Sequence, residues 1–237
     1  MTDIKTRLSK VRERIAQAEQ QFLRQSGSVE LLAVSKTWPA EAILEVARQG
    51  QRQFGENYLQ EAIEKINAIA SQPNAPELIW HYIGAIQSNK TKEIAQHFAW
   101  VHSVDRLKIA QRLSDQRPEH LADLNICLQV NISGEGSKSG ATQDDALTLA
   151  RTIAQLPRVK LRGLMAIPAP ATTVEQQRKI FHQVQQLQQQ LINAGLNLDS
   201  LSMGMSNDLE AAIAEGSTIV RVGSAIFGPR SRVKKPL

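Results

Sequence analysis

The 237-residue sequence predicts an α/β fold, a single (β/α)8 TIM-like barrel with an extra N-terminal helix. Three observations carry that prediction. Short apolar runs recur along the chain, each followed by a stretch of helical periodicity. Strands that alternate with helices pair in parallel through right-handed crossovers. Eight such units also fit the chain length with few insertions, as a barrel requires. The competing architecture is an open doubly wound sheet, but no Gly-x-Gly-x-x-Gly fingerprint follows the first run.

In order, residues 1–25 open as a polar amphipathic helix with Ile4, Leu8, Val11, Ile15, Ala18 and Phe22 on one stripe. Strands are expected at 30–36, 52–56, 79–84, 99–104, 125–132, 159–167, 200–205 and 218–223. Helices are expected between them, near 40–49, 58–70, 89–97, 106–115, 142–155, 174–194 and 208–215. Near-continuous apolar runs such as Ile126–Ile132 and Ile219–Val222 suit strands covered on both faces. The Gln-rich stretch 183–190 keeps Ile180, Val184, Leu187 and Leu191 in helical period, so it is a solvated helix face. Nothing linker-like divides the chain. It reads as one domain over 1–237, with a basic tail at 229–237.

Composition narrows the function classes. Aromatic residues make up only 4%, so the core rests on Leu, Ile, Val and Ala. No apolar run approaches the roughly 18 residues of a membrane helix. Met1 is followed by polar Thr-Asp-Ile-Lys-Thr-Arg, with no signal peptide in view. The single cysteine, Cys127, lies in an apolar run and reads as a small core residue. A cytoplasmic protein is expected. The net charge of +5 sits at the chain ends, since residues 1–25 carry +3 and 229–237 carry +4, leaving −2 between. Without a basic stripe, a zinc-finger spacing or an RNA-binding aromatic motif, nucleic acid is not an expected partner.

In a barrel of this type, functional residues come from the C-terminal ends of strands. Those positions hold Lys36, Glu56, Asn57, Gly84, Asp105, Asn131, Met165, Ser206 and the stretch from Arg221 to Ser224. An amine at the end of a buried strand loses hydration, which disfavours its charged form. A neutral amine condenses with an aldehyde to give a Schiff base. The plainer reading is a strand-end lysine reaching back to water along its stem. Side-chain alternation puts Lys36, Val34 and Leu32 on one face, and Ala33 and Ser35 on the other. The same parity turns Arg221 and Ile219 inward.

The segment Met203–Glu210 passes from strand to helix, with Ser206 or Asn207 as a cap and Asn207 and Glu210 at capping-box spacing. A helix start suits a phosphate. Gly223-Ser224 precedes one further helical turn, and Gly223 would let a ligand approach the backbone. Barrels often bind phosphate with the loops after the seventh and eighth strands. A Schiff-base lysine beside a phosphate cradle points to pyridoxal 5′-phosphate (PLP). Arg221 is a candidate partner for the pyridine nitrogen, where its fixed charge would weaken the ring as an electron sink. An ion pair with Asp105 or Glu56 is the equal alternative. The loop Gly134–Gly140, with Lys138, lacks the residue order of a P-loop and reads as a βα connection. The five histidines show no paired ligand spacing, so no metal site is expected, and His81 reads as a hydrogen-bonded core residue.

Several stretches together resemble the pyridoxal phosphate homeostasis proteins, also called proline synthetase co-transcribed homologues. These are single barrels similar to the N-terminal domain of bacterial alanine racemase. The stretches are Leu32–Lys36, Phe54–Tyr58, Trp80–Lys90, Gly163–Met165, Ser202–Asp208 and Val220–Gly228. They run from the first strand to the last, and Trp80–Lys90 is the most specific. Tyr82 departs from it, standing where Phe or Met is more usual.

The resemblance implies that Lys36 forms an internal aldimine and that Ser206, Gly223 and Ser224 bind the phosphate. Arg221 would face the ring nitrogen, Asn57 and Met165 would line the ring, and Val34 would lie beneath it. It also implies a non-catalytic role in vitamin B6 and amino-acid homeostasis, with transient contact with PLP-dependent apo-enzymes; the lack of a long apolar run and the open single-domain mouth add the expectations of no membrane association and a monomer. The alternative is a weak PLP-dependent amino-acid racemase or another Schiff-base enzyme. Racemisation needs a base on each face of the substrate α-carbon. In alanine racemase the second is a tyrosine from another, β-rich domain. Here the sequence stops at Leu237 directly after the barrel, and Tyr58 and Tyr82, its only tyrosines, lie in no equivalent element.

Overall fold

The computed structural model describes residues 3–132, 139–169 and 171–229. The Lys138 position and the basic tail beyond Pro229 lie outside the described residues. Eight strands form one closed barrel in sequence order: β1 (Glu30–Val34), β2 (Gln53–Glu56), β3 (Ile79–Tyr82), β4 (Trp100–Val104), β5 (Leu124–Gln129), β6 (Val159–Met165), β7 (Ser200–Met205) and β8 (Ile219–Val222). Every pairing is parallel, and β8 closes on β1 with Arg221 opposite Leu32. The helices are α1 (Ile4–Gln21), α2 (Ala40–Arg48), α3 (Leu59–Ala70), α4 (Thr91–His97), α5 (Leu107–Gln116), α6 (Gln143–Ile153), α7 (Val174–Asn193), α8 (Leu209–Ala214) and α9 (Ser224–Phe227). No helix among the described residues is long and apolar enough to cross a membrane.

Several strands stop short of their apolar runs. β1 ends at Val34 because Ser35 and Lys36 leave the sheet into a turn in which Thr37 has φ +69°. β7 keeps its full expected length but is bulged between Ser202 and Met205, where Gly204 takes φ +92°.

Apolar side chains from the outer faces of the strands and the inner faces of the helices build one continuous core around the barrel. α1 adds Ile4, Leu8, Val11, Ile15 and Ala18 to it. Leu32, Cys127, Met165 and Ile219 are buried yet stand apart from that core, on the inner face of the sheet. Burial pushes the Cys127 thiol up to about 12.

Candidate functional site

At the C-terminal mouth of the barrel lies a cavity of about 410 Å³, a size suited to a small ligand. β1 and its turn supply Val34 and Lys36, and the ends of β2 and β3 supply Asn57 and Ile83. Ile167–Ala169 follow β6, Met205 ends β7 and Ser206–Asp208 follow it, and Arg221, Gly223 and Ser224 come from β8 and α9. The strand-end residues Lys36, Asn57, Ser206, Arg221, Gly223 and Ser224 are thus brought together, with Val34 in the same wall. Met165 is not in that wall; it is buried inside the barrel at the end of β6.

Arg221 is almost fully buried. Its Nη1 donates to Ser202 O (2.6 Å) and Ser202 Oγ (2.9 Å), and its Nη2 to Ala166 O (3.0 Å). Burial lowers its pKa to about 10, opposed by the Asp208 carboxylate. The ion pairs entertained for Arg221 do not form. Glu56 turns to the helix side, where it meets Ser35 and Lys65, and Asp105 pairs with Arg106. Arg221 is held instead by hydrogen bonds to neutral oxygens, which fix its direction, while the Asp208 carboxylate acts on it only through its charge.

Beneath Arg221 the polar chain continues inward. Ser202 Oγ meets His102 Nδ1 (2.8 Å), and His102 Nε2 meets His81 Nδ1 (2.9 Å). Burial lowers the pKa of His81 to about 3 and that of His102 well below the usual imidazole value, so both rings are neutral. With Arg221 obliged to donate, the fewest groups go unpaired if Ser202 donates to His102 and His102 to His81. His81 then serves as a core histidine, as its sequence position suggests. Its link to Arg221 through His102 and Ser202 is not readable from spacing. Among the described residues no group of three His, Cys, Asp or Glu side chains could hold a metal.

The β7 bulge aims the next residues across the mouth. A Cβ on Gly204 would lie 2.5 Å from the Ala212 side chain, so both its φ and its packing require glycine. α8 starts one residue later than a capping box at Asn207 would place it. Its N-cap is Asp208, whose Oδ1 accepts the Met205 N–H rather than a helical one. Glu210 is drawn away to Arg14 of α1, which also donates to Ser206 O (3.0 Å). At the end of β8 a Cβ on Gly223 would press on Val34 O at 3.1 Å. The bare backbone there brings β8 close against β1. α9 begins at Ser224; the N–H groups of Ile226 and Phe227 donate to Gly223 O, which leaves those of Ser224 and Ala225 without a helical partner.

The polar set of the cavity fits a flat phosphorylated aldehyde. It offers an amine, a directed guanidinium, two seryl hydroxyls at loop ends, and the Asn57 amide oxygen, which is buried with no partner. The remaining wall is largely apolar: Val34, Ile83, Ile167, Pro168, Ala169 and Ala171. Neither tyrosine lines the cavity; Tyr82 donates to Ala85 O and Tyr58 is exposed.

Residues 6–231 match the family described as alanine racemase, N-terminal domain. The chain is 55% identical over 230 residues to the pyridoxal phosphate homeostasis protein of Pseudomonas aeruginosa, covering 97% of each. It is 49% identical over 235 residues to the protein of that name from Escherichia coli K12, covering 99% of this chain and 100% of the relative. The solved structure of PipY from Synechococcus elongatus PCC7942, with PLP bound, superposes with a TM-score of 0.83 at 37% identity, covering 95% of this chain and 100% of that one.

Proposed function

The chain belongs to the alanine racemase N-terminal domain family and, within it, to the pyridoxal phosphate homeostasis proteins, and from that premise we propose that it is a non-catalytic PLP carrier serving vitamin B6 and amino-acid homeostasis. The observation that carries this reading is the meeting of Lys36, Arg221, Ser206, Gly223 and Ser224 at one cavity from β1, β7 and β8. The cofactor brings an aldehyde with which an amine condenses, releasing water. In this reading Lys36 supplies that amine. Ser206, Gly223 and Ser224 hold the phosphate with hydroxyl and backbone N–H donors. Arg221, already fixed by Ser202 and Ala166, faces the ring nitrogen as a permanent donor and keeps it unprotonated. Asn57 lines the ring, Val34 lies beneath it, and Met165 supports it from inside the barrel.

Two features favour holding over turnover. Racemisation calls for a base on each face of the substrate α-carbon, and Lys36 is one base. The rest of the wall offers mainly apolar side chains, and the Asp208 carboxylate is engaged by the Met205 N–H. We take residues 1–237 as one PLP-binding unit that works in the cytoplasm as a monomer and passes its cargo to apo-enzymes in transient contacts. The test is an absorbance spectrum of the purified protein with added PLP, before and after borohydride, beside Lys36→Ala. The expected result is a bound-cofactor band that borohydride abolishes, with the mass label on Lys36 and no label in the variant. A protein that stays colourless, or a label on another lysine, overturns the proposal.

A further inference from the structure

On the helix side of β1, directly behind Lys36, an ion cluster takes no part in the cavity described above. Lys65 of α3 is buried and donates to Glu56 Oε1 (2.8 Å), Glu61 Oε1 (2.5 Å) and the carbonyl of Ser35 (3.0 Å). Ser35 Oγ also donates to Glu56 Oε1 (2.7 Å). Glu61 Oε1 accepts the backbone N–H of Thr37 at 2.6 Å. The residues on either side of Lys36 are therefore tied to one cluster. Neither Glu61 nor Lys65 lines the mouth cavity.

The turn so held is unfavourable by itself. Thr37 has φ +69°, a region that is rare for a β-branched residue. Such a conformation persists only where the surroundings over-determine it, and it concentrates at functional sites. Burying a lysine between two carboxylates is also a poor way to gain stability, because well-packed apolar residues often do as well. An expensive cluster that fastens a strained turn calls for a role beyond folding.

We propose that Glu61 and Lys65 are positioning residues for Lys36, holding the Ser35–Thr37 turn so that the amine projects into the cavity. The proposal rests on the PLP reading of that cavity. The same turn serves the bond-forming step and not the phosphate cradle, which sits on β7, β8 and α9. Loss of the cluster should therefore impair covalent attachment and spare non-covalent binding.

The test uses the full chain as wild type, Glu61→Ala, Glu61→Gln and Lys65→Met. Each is measured for the rate of borohydride-trapped PLP attachment, for affinity toward pyridoxine 5′-phosphate, which has no aldehyde, and for thermal stability. Glu61→Ala and Lys65→Met should slow attachment by at least about tenfold, since misplacement of a reacting group by about 1 Å can cost on the order of 100-fold. Pyridoxine 5′-phosphate affinity should stay within about threefold of wild type. Glu61→Gln, which keeps an acceptor for the Thr37 N–H, should recover most of the rate. Wild-type attachment rates in Glu61→Ala and Lys65→Met overturn the positioning role while leaving the carrier reading intact. Equal loss of both ligands with a lowered melting temperature also overturns it, because the cluster would then serve the fold. A wild-type chain that takes up neither ligand overturns the carrier reading and the positioning role with it.

Discussion

Gly204 shows how a single residue sets the geometry of the mouth. Its φ of +92° lets β7 bulge, and the bulge carries Ser206 over the cavity. Gly204→Val would face both the φ penalty and a contact with Ala212. Roughly 2–4 kcal/mol of stability should be lost, read as a lower urea midpoint, together with weakened phosphate binding. A glycine inside the run Ser202–Asp208 is visible in the sequence, but its sign of φ is not, because only the docking of α8 against β7 determines it. Lys36 illustrates the opposite case. Its place at the end of an apolar run is enough to put it at the mouth, since strand ends in a barrel all face the same side. The i,i+4 pair of Glu61 and Lys65 is equally readable on a helix. That Glu56 joins it from β2 follows only from the way α3 packs on the sheet.

At the scale of elements, α1 carries the clearest lesson. Its apolar stripe is legible from spacing, while its arginines look like free surface charge. In the fold they reach inward along their stems. Arg7 donates to the carbonyls of Ile226 and Phe227 and Arg14 to Ser206 O and Glu210, and just beyond the helix Arg24 donates to Ile213 O and Ser217 O. α1 thus braces both segments assigned to the phosphate. Arg14→Ala should cost under about 1 kcal/mol in global stability, because its pair with Glu210 is half-exposed. It should nevertheless speed the release of a bound phosphate ester severalfold, measurable by stopped-flow dilution. Unchanged release would confine α1 to a packing role. The capping box expected at Asn207 and Glu210 fails for the same reason: Arg14 claims Glu210, so the helix start is settled by tertiary contact.

For the whole molecule, the order and parallel sense of the strands follow from alternation alone, whereas partnerships across the interior do not. His81, His102 and Ser202 come from β3, β4 and β7, and their meeting depends on closure of the barrel. That interior makes stability depend on acid. Folded His81 takes up a proton only near pH 3, against about 6.5 when unfolded, and His102 is shifted the same way. The unfolded chain therefore binds more protons through this window, so stability is complete above it and drains away as pH falls. His81 alone should remove about 3 kcal/mol between pH 6.5 and 4. Urea titrations at several pH values should show that slope, and His81→Leu should flatten it.

Cys127 sits in the same sealed interior, on β5, and is the chain's one thiol. A maleimide or disulfide reagent should find nothing to react with until the barrel is opened by denaturant. The native scaffold is therefore already silent toward thiol labelling, and a cysteine placed on the rim would report the arrival and departure of cargo from a single known spot.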